Sequence, residues 1–155
     1  MAKAKGEKMI ADNRRARHDY HLGDRVEAGV VLTGTEVKAL REGKTQLTRA
    51  YADVNENEAW LVGVHIPEYL QGNRANHDPD RPRKLLLHRR EIDRLYGQIR
   101  EKGVTLVPTR MYFKDGRVKV EIAVARGKEM HDKRRDLRDK DQRREIDRAL
   151  REHGR

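Results

Sequence analysis

Seven histidines are the first place to look for catalysis in a chain that has no cysteine. His18 and His21 have a loose ligand spacing, but no cysteine or convergent carboxylate completes a metal site around them. His77-Asp78 could supply a base with its orienting carboxylate, yet no Ser or Thr nucleophile signature accompanies the pair. The turn at Gly34 lacks the spacing and the lysine of a phosphate-cradling loop. The expectation is a protein that is not an enzyme and that holds no metal or cofactor.

Binding to a polyanion has better material. In Asn13-Arg-Arg-Ala-Arg-His18, three arginines including Arg17 can neutralise phosphates, while Asn13 and His18 can reach base edges or stack. Arg81, Arg83 and Lys84 form a second cluster. Glu27 stands apart among so many cations. It can pair with a neighbouring arginine, or accept a hydrogen bond from a nucleobase amine or a ribose 2′-hydroxyl. His131 is a planar ring among cations where the body gives way to the tail, either solvated or able to stack on a base.

That tail, Lys128 to Arg155, holds 11 Lys or Arg and 8 Asp or Glu with scattered apolar residues. It cannot bury enough apolar surface to offset its ordering entropy, so in isolation it is expected to be solvated and disordered. Its pattern is nevertheless helical: Lys133, Lys140, Arg144, Arg148, Arg151 and Arg155 share one face. Asp136→Lys140, Asp139→Arg143 and Asp147→Arg151 are i,i+4 pairs in the favourable order, each worth roughly 0.2–0.5 kcal/mol. Such a segment can order as a helix in a groove walled by phosphates.

The formal charge is +10, with 36 Lys and Arg against 26 Asp and Glu. The tail's net +3 leaves +7 on the body, so the basic excess belongs to both parts. This favours a polyanionic partner, nucleic acid above all. Absence of cysteine fits a reducing compartment. The opening Met-Ala-Lys-Ala-Lys has charge but no apolar core behind it, and no run of 18 apolar residues occurs. A soluble cytoplasmic protein without a membrane span is expected.

Elements follow from periodicity. Residues 1–12 are read as disordered. Val26, Ala28, Val30 and Leu32 alternate along a strand over 24–32, and Thr33 with Glu36 makes a capping box for a helix over 35–42 that stops at Gly43. Strands over 46–54 and 58–66 make a hairpin about Asn55-Glu56-Asn57. A long loop over 67–83 follows, of a length uncommon unless functional or disordered. A helix over 88–102 carries the stripe Ile92, Leu95, Tyr96, Ile99. Strand 104–113 contains Pro108, which predicts an edge or a bulge, and Asp115-Gly116 turns it into strand 117–125. In that last strand Val118, Val120, Ile122 and Val124 point in, and Arg117, Lys119 and Glu121 point out. Short alternating strands that must hide their edges favour a small closed barrel.

Four segments carry a resemblance. Asn13 to Tyr20, Glu27 to Arg41, Arg83 to Leu87 with Glu91-Ile92, and Gly127 to Arg134 look like the SsrA-binding protein (small protein B) family, partners of transfer-messenger RNA, tmRNA. Departures are Ala39 and Glu129, where a Ser and a second Lys are common. The resemblance implies a mainly β fold: a six-stranded antiparallel β-barrel of oligonucleotide-binding (OB) type, about three flanking helices and a flexible basic tail. The RNA-binding domain would span 13–127 and the tail 128–155, disordered when free and helical on the ribosome. Implied partners are the tRNA-like domain of tmRNA, one protein monomer per RNA, elongation factor Tu with the alanine-charged RNA, and the stalled ribosome, whose empty mRNA channel would take the tail. Asn13, Glu27 and Leu85 match positions tied to RNA binding, with Arg17, Lys84 and Lys119 as supporting contacts. Gly127, Lys128, His131, Asp132, Lys133 and Arg134 match the tail motif near the decoding centre. Without the resemblance, a general RNA-binding barrel of the ribosome or its assembly accounts for the same composition.

Overall fold

The computed structural model describes residues 7–43, 45–71, 76–128 and 148–149. Among the described residues, seven antiparallel strands and three helices run in the order β1 (Glu7–Asp12), α1 (Arg14–Asp19), β2 (Tyr20–Val30), α2 (Gly34–Arg41), β3 (Tyr51–Val54), β4 (Ala59–Val62), β5 (Arg83–Leu86), α3 (Arg89–Ile99), β6 (Val104–Lys114) and β7 (Arg117–Gly127). They form one sheet in the order β1-β6-β7-β2-β5-β4-β3. The sheet curls until β3 lies against β6, so the core is enclosed by packing as well as by strand pairing.

The centre of the sheet is the β6–β7 hairpin. Asp115 and Gly116 both take positive φ, 51° and 80°, the turn geometry that follows the twist of the flanking strands. Inward residues Val118, Val120, Ile122 and Val124 are buried against Val26, Ala28, Leu106 and Met111. α2 begins with the expected capping box, in which Thr33 and Glu36 satisfy one another's backbone N–H groups. α3 packs Ile92 and Leu95 into the core, with Tyr96 and Ile99 partly buried beside them.

Two expectations are corrected, one is met and one helix is added. Residues 7–12 were expected to be disordered; instead β1 pairs with β6, so the sheet has seven strands and the folded body begins before Asn13. Its sequence has little alternation, and the strand exists because β6 offers a free edge far along the chain. Pro108 meets the expectation of an edge or a bulge. It sits at a bulge between Pro108 and Arg110 in the β6–β7 register, beyond the end of the β1 pairing. The basic run after Asn13 is a helix, α1, with Ala16 buried beneath it beside Tyr20, Val107 and Ala125. Finally, the strand expected over 46–54 shrinks to β3, preceded by a single bridge between Gln46 and His65.

Candidate nucleic-acid interface

Side chains that alternate inward on β2, β7 and β6 fill the core, so their neighbours must share the outer face. Register places them in rows. Glu27 lies opposite Glu121, which lies opposite Arg110, which lies opposite Asp12. In the next row Leu86, Gly29, Lys119, Tyr112 and Met9 follow one another across five strands. Beyond Leu86, Lys84 on β5 lies opposite the half-buried Trp60 on β4.

Two carboxylates facing each other across a strand pair repel, and each must be neutralised separately. Glu121 is held by Arg25 at 3.4 Å, Arg110 at 3.5 Å and the Thr109 hydroxyl. Glu27 accepts a hydrogen bond from the Tyr112 hydroxyl and lies 3.4 Å from the Lys114 ammonium. The Tyr112 hydrogen bond holds the Glu27 carboxyl below the usual carboxylate range, aided by Lys114 and Lys119 and opposed by partial burial. The Tyr112 hydroxyl is raised in return, by burial and by Glu27. Arg110 lies over the Tyr112 ring at 4.8 Å. The outcome is an ionised acceptor, Glu27, set in a field of lysines and arginines.

α1 adjoins this face. Asn13 caps it by accepting from the Ala16 N–H at 3.2 Å, and its amide donates to Pro108 O at 2.8 Å and Leu47 O at 3.3 Å. That clamp ties the helix start to the β6 bulge. Arg14, Arg15 and Arg17 are then exposed, with Arg17 2.6 Å from Asp12 and Arg15 3.2 Å from Asp19. Asp12 is also the β1 partner of Arg110, so the helix cations and the strand cations form one continuous surface.

Of the residues singled out by sequence, Arg17, Glu27, Lys84 and Lys119 lie on the outer surface, with Lys119 half-buried. Asn13, Arg83 and Leu85 do not: they are 4%, 0% and 2% exposed. These three side chains are buried in the fold rather than presented on its surface. Asn13 is spent on internal hydrogen bonds, and Leu85 points into the core as strand parity requires. Arg83 donates to Glu36 at 2.7 Å, Val64 O at 2.7 Å and Pro79 O at 3.0 Å. Arg81 binds the same carboxylate at 2.5 Å, and His77 is pinned between Thr35 Oγ1 and Ile66 O. Burial would raise Glu36, but Arg81, the Thr33 N–H and Arg83 outweigh it and hold the carboxyl low. This cluster fastens the long loop before β5 and occupies the histidine that could have served as a base.

Gly127 and Lys128 are described at the end of β7, where Tyr20 pairs with Gly127 and His21 with Arg126. His131, Asp132, Lys133 and Arg134 lie outside the described residues; of the tail only Lys128 and the helical pair Arg148-Ala149 are described, with Ala149 packed against the Ala16, Tyr20, Val107 and Ala125 cluster. Sequence reading missed Arg110, Tyr112, Lys114 and Leu86. Alternation along β6 could have found the first three, because Asp115-Gly116 sets that strand opposite Arg117 and Lys119. Leu86 was hidden in the run Leu85-Leu86-Leu87, where composition does not say which residue faces out; it is 54% exposed. Among the described residues no three His, Asp or Glu side chains converge as metal ligands, and no helix is long and apolar enough to cross a membrane.

Comparison with known proteins matches this arrangement. The SmpB protein family model covers residues 10–152. An SsrA-binding protein from Kineococcus radiotolerans is 59% identical over 152 residues, covering 98% of this chain and 97% of its own. One from Acidothermus cellulolyticus is 57% identical over 150 residues, covering 97% and 94%. A solved chain from work described as "tmRNA-SmpB: a journey to the center of the bacterial ribosome" superposes with a TM-score of 0.67 at 45% identity, covering 90% of this chain and 95% of its own. The seven-stranded body, its basic outer face and these matches lead to one conclusion: the chain belongs to the SmpB protein family.

Proposed function

We propose that this chain binds tmRNA and delivers it to stalled ribosomes. The observation that carries the reading is the continuous outer face from α1 to β5, on which arginines and lysines surround an ionised Glu27, in a chain of the SmpB family. Exposed cations supply affinity by displacing counterions from phosphates, and the fixed carboxylate supplies discrimination that charge alone cannot. Arg17, Glu27, Lys84 and Lys119 contact the tRNA-like domain. Asn13, Arg83 and Leu85 act from inside, holding α1 and β5 in place. The segment beginning at Gly127-Lys128, with His131, Asp132, Lys133 and Arg134, enters the empty mRNA channel near the decoding centre. One monomer per RNA, elongation factor Tu as companion and the cytoplasm as location complete the reading. The protein positions RNA and carries out no chemistry on it.

A chain lacking residues 128–155 tests this. It is expected to bind tmRNA as the full chain does, because +7 of the charge and the whole outer face remain, and to lose ribosome rescue in a reconstituted translation system. Loss of RNA affinity on truncation would refute the division of labour. A general RNA-binding role would instead show itself as equal affinity for tmRNA and unrelated structured RNAs.

A further inference from the structure

α1 has one buried side chain, Ala16, so its underside cannot be closed by the helix alone. Ala16 joins Tyr20, Val107 and Ala125 in a buried cluster separate from the main core. Among the described residues, two partly buried side chains pack against that cluster. One is Leu22 of β2, and the other is Ala149, from the helical pair Arg148-Ala149 far along the tail. Both tail residues also line an open cleft of about 540 Å³ between α1, residues 48–51 and Val107. The composition of the tail fits this contact. Its apolar residues after Lys128 are Met130, Leu137, Ile146, Ala149 and Leu150, so the last three crowd into five positions. Their i, i+3, i+4 spacing sets them on one helical face, roughly opposite the stripe that runs from Lys133 to Arg155.

We propose that this patch is the docking site of the chain's own C-terminal segment, seated through Ile146, Ala149 and Leu150, and that the tail must leave it to enter the mRNA channel. The docking stands on the Ala149 contact; its consequence rests on the channel-entry reading above. Geometry makes the two arrangements exclusive. Gly127 pairs with Tyr20 in the β2–β7 register, and Ala149 packs on the cluster that contains the same Tyr20. The chain between them leaves one point and returns to it. A straight helix over the same residues would carry Ala149 roughly 33 Å away. Three apolar side chains of this size bury little area, so the contact is weak enough to exchange. The basic stripe faces away from the patch, and a polyanion that engages it draws the segment off.

Because the chain has no cysteine, His153→Cys gives a single attachment site about one helical turn beyond Ala149. A nitroxide there, on ¹⁵N-labelled full-length protein, is expected to strip intensity from the amides of Ala16, Tyr20, Thr48 and Val107. Asp115 and Gly116, at the far end of the β6–β7 hairpin, should keep theirs. Ala149→Asp sets a carboxylate against the apolar cluster and should restore the lost intensity. Uniform loss across the body, or a selective loss that survives A149D, would overturn the docking. So would loss in a mixture of ¹⁵N chains without nitroxide and ¹⁴N chains bearing it, since the occupant would then be a second copy. For the consequence, a photoreactive benzophenone replaces the nitroxide, and irradiating the free protein ties the segment to the patch, with the attachment mapped by mass spectrometry. The tied chain is expected to lose ribosome rescue in the reconstituted system, while the same chain without irradiation keeps it. Equal rescue by both, with the chain lacking residues 128–155 inactive, would overturn the exclusivity. Rescue by that truncated chain would instead remove the channel-entry reading and leave the docking to stand or fall on the nitroxide result.

Discussion

Arg83 and Lys84 are consecutive in the chain and opposite in role. Strand parity turns Arg83 into the interior, where it meets a fully buried Glu36, and turns Lys84 out, 3.2 Å from Glu58. Arg83→Ala leaves Glu36 with Arg81 alone and Val64 O and Pro79 O without the Arg83 donor, so it is expected to lower unfolding stability by about 3 kcal/mol, measured by urea denaturation. Lys84→Ala should leave the urea midpoint unchanged and reduce the slope of log affinity for tmRNA against log salt by about one. The sequence shows Arg81-Pro82-Arg83-Lys84 as one basic cluster; nothing local says that its third member is a core residue, because Glu36 lies 47 positions away. Glu27 is the other residue whose setting decides its behaviour. Its carboxyl titrates lower in the fold than its ordinary 4.5, so its stabilising contribution is fully present above about pH 4.5 and is lost as pH falls through the depressed folded value. Glu36 has the same sign. E27Q should therefore be less stable than the unaltered chain at pH 7, and the gap should close as pH falls from 5 to 3; an identical acid profile would mean that the Tyr112–Glu27 contact carries no stability.

At the scale of elements, legibility tracked how local each cause is. The β6–β7 hairpin is fully visible in sequence because the turn residues and the alternation on both arms agree. The capping box of α2 and the stripe of α3 were visible for the same reason. β1 was not, since the strand edge it pairs with is about a hundred residues away. α1 was hidden differently: six residues with a single buried position, Ala16, carry no periodicity, and the helix stands on the Asn13 cap. Replacing Asn13 by Ala removes the cap and leaves Leu47 O and Pro108 O without their donor, a loss of about 1–3 kcal/mol. Asn13→Asp keeps the cap and loses both donations. If α1 presents the basic cluster to RNA, both variants should weaken tmRNA binding although neither side chain reaches the surface. Deleting residues 1–12 removes the half-buried Ile10 and leaves residues 110–114 of β6 as an open edge; a drop of about 1–2 kcal/mol in urea unfolding and a greater tendency to self-associate are expected.

For the whole molecule, charge is distributed so that each part can act alone. Since the body holds +7 of the +10, the salt slope of tmRNA binding should be nearly the same with and without residues 128–155. That measurement needs no ribosome and separates a tail that contacts the RNA from one that does not. Fold class and the direction of function were legible from composition, alternation and four segments resembling a family. The shape of the interface was less so, because it depends on which rows of four strands fall side by side, and a bulge in β2 between Leu22 and Arg25 and another in β6 at Pro108 reset those rows.

The pairing of Tyr20 with Gly127 has one more consequence. β7 does not trail off into the tail; it ends in register with the residue on which α1 closes. The root of the tail and the root of the basic helix are therefore one joint, and the distance from α1 to the first tail residue is fixed by the sheet. If α1 grips a phosphate and the tail enters the mRNA channel as proposed, the body works as a gauge block, setting where a probe begins relative to a gripped object. Inserting Gly-Ser-Gly after Lys128 should leave RNA affinity intact and lower rescue, because it lengthens the probe while leaving both of its ends unchanged.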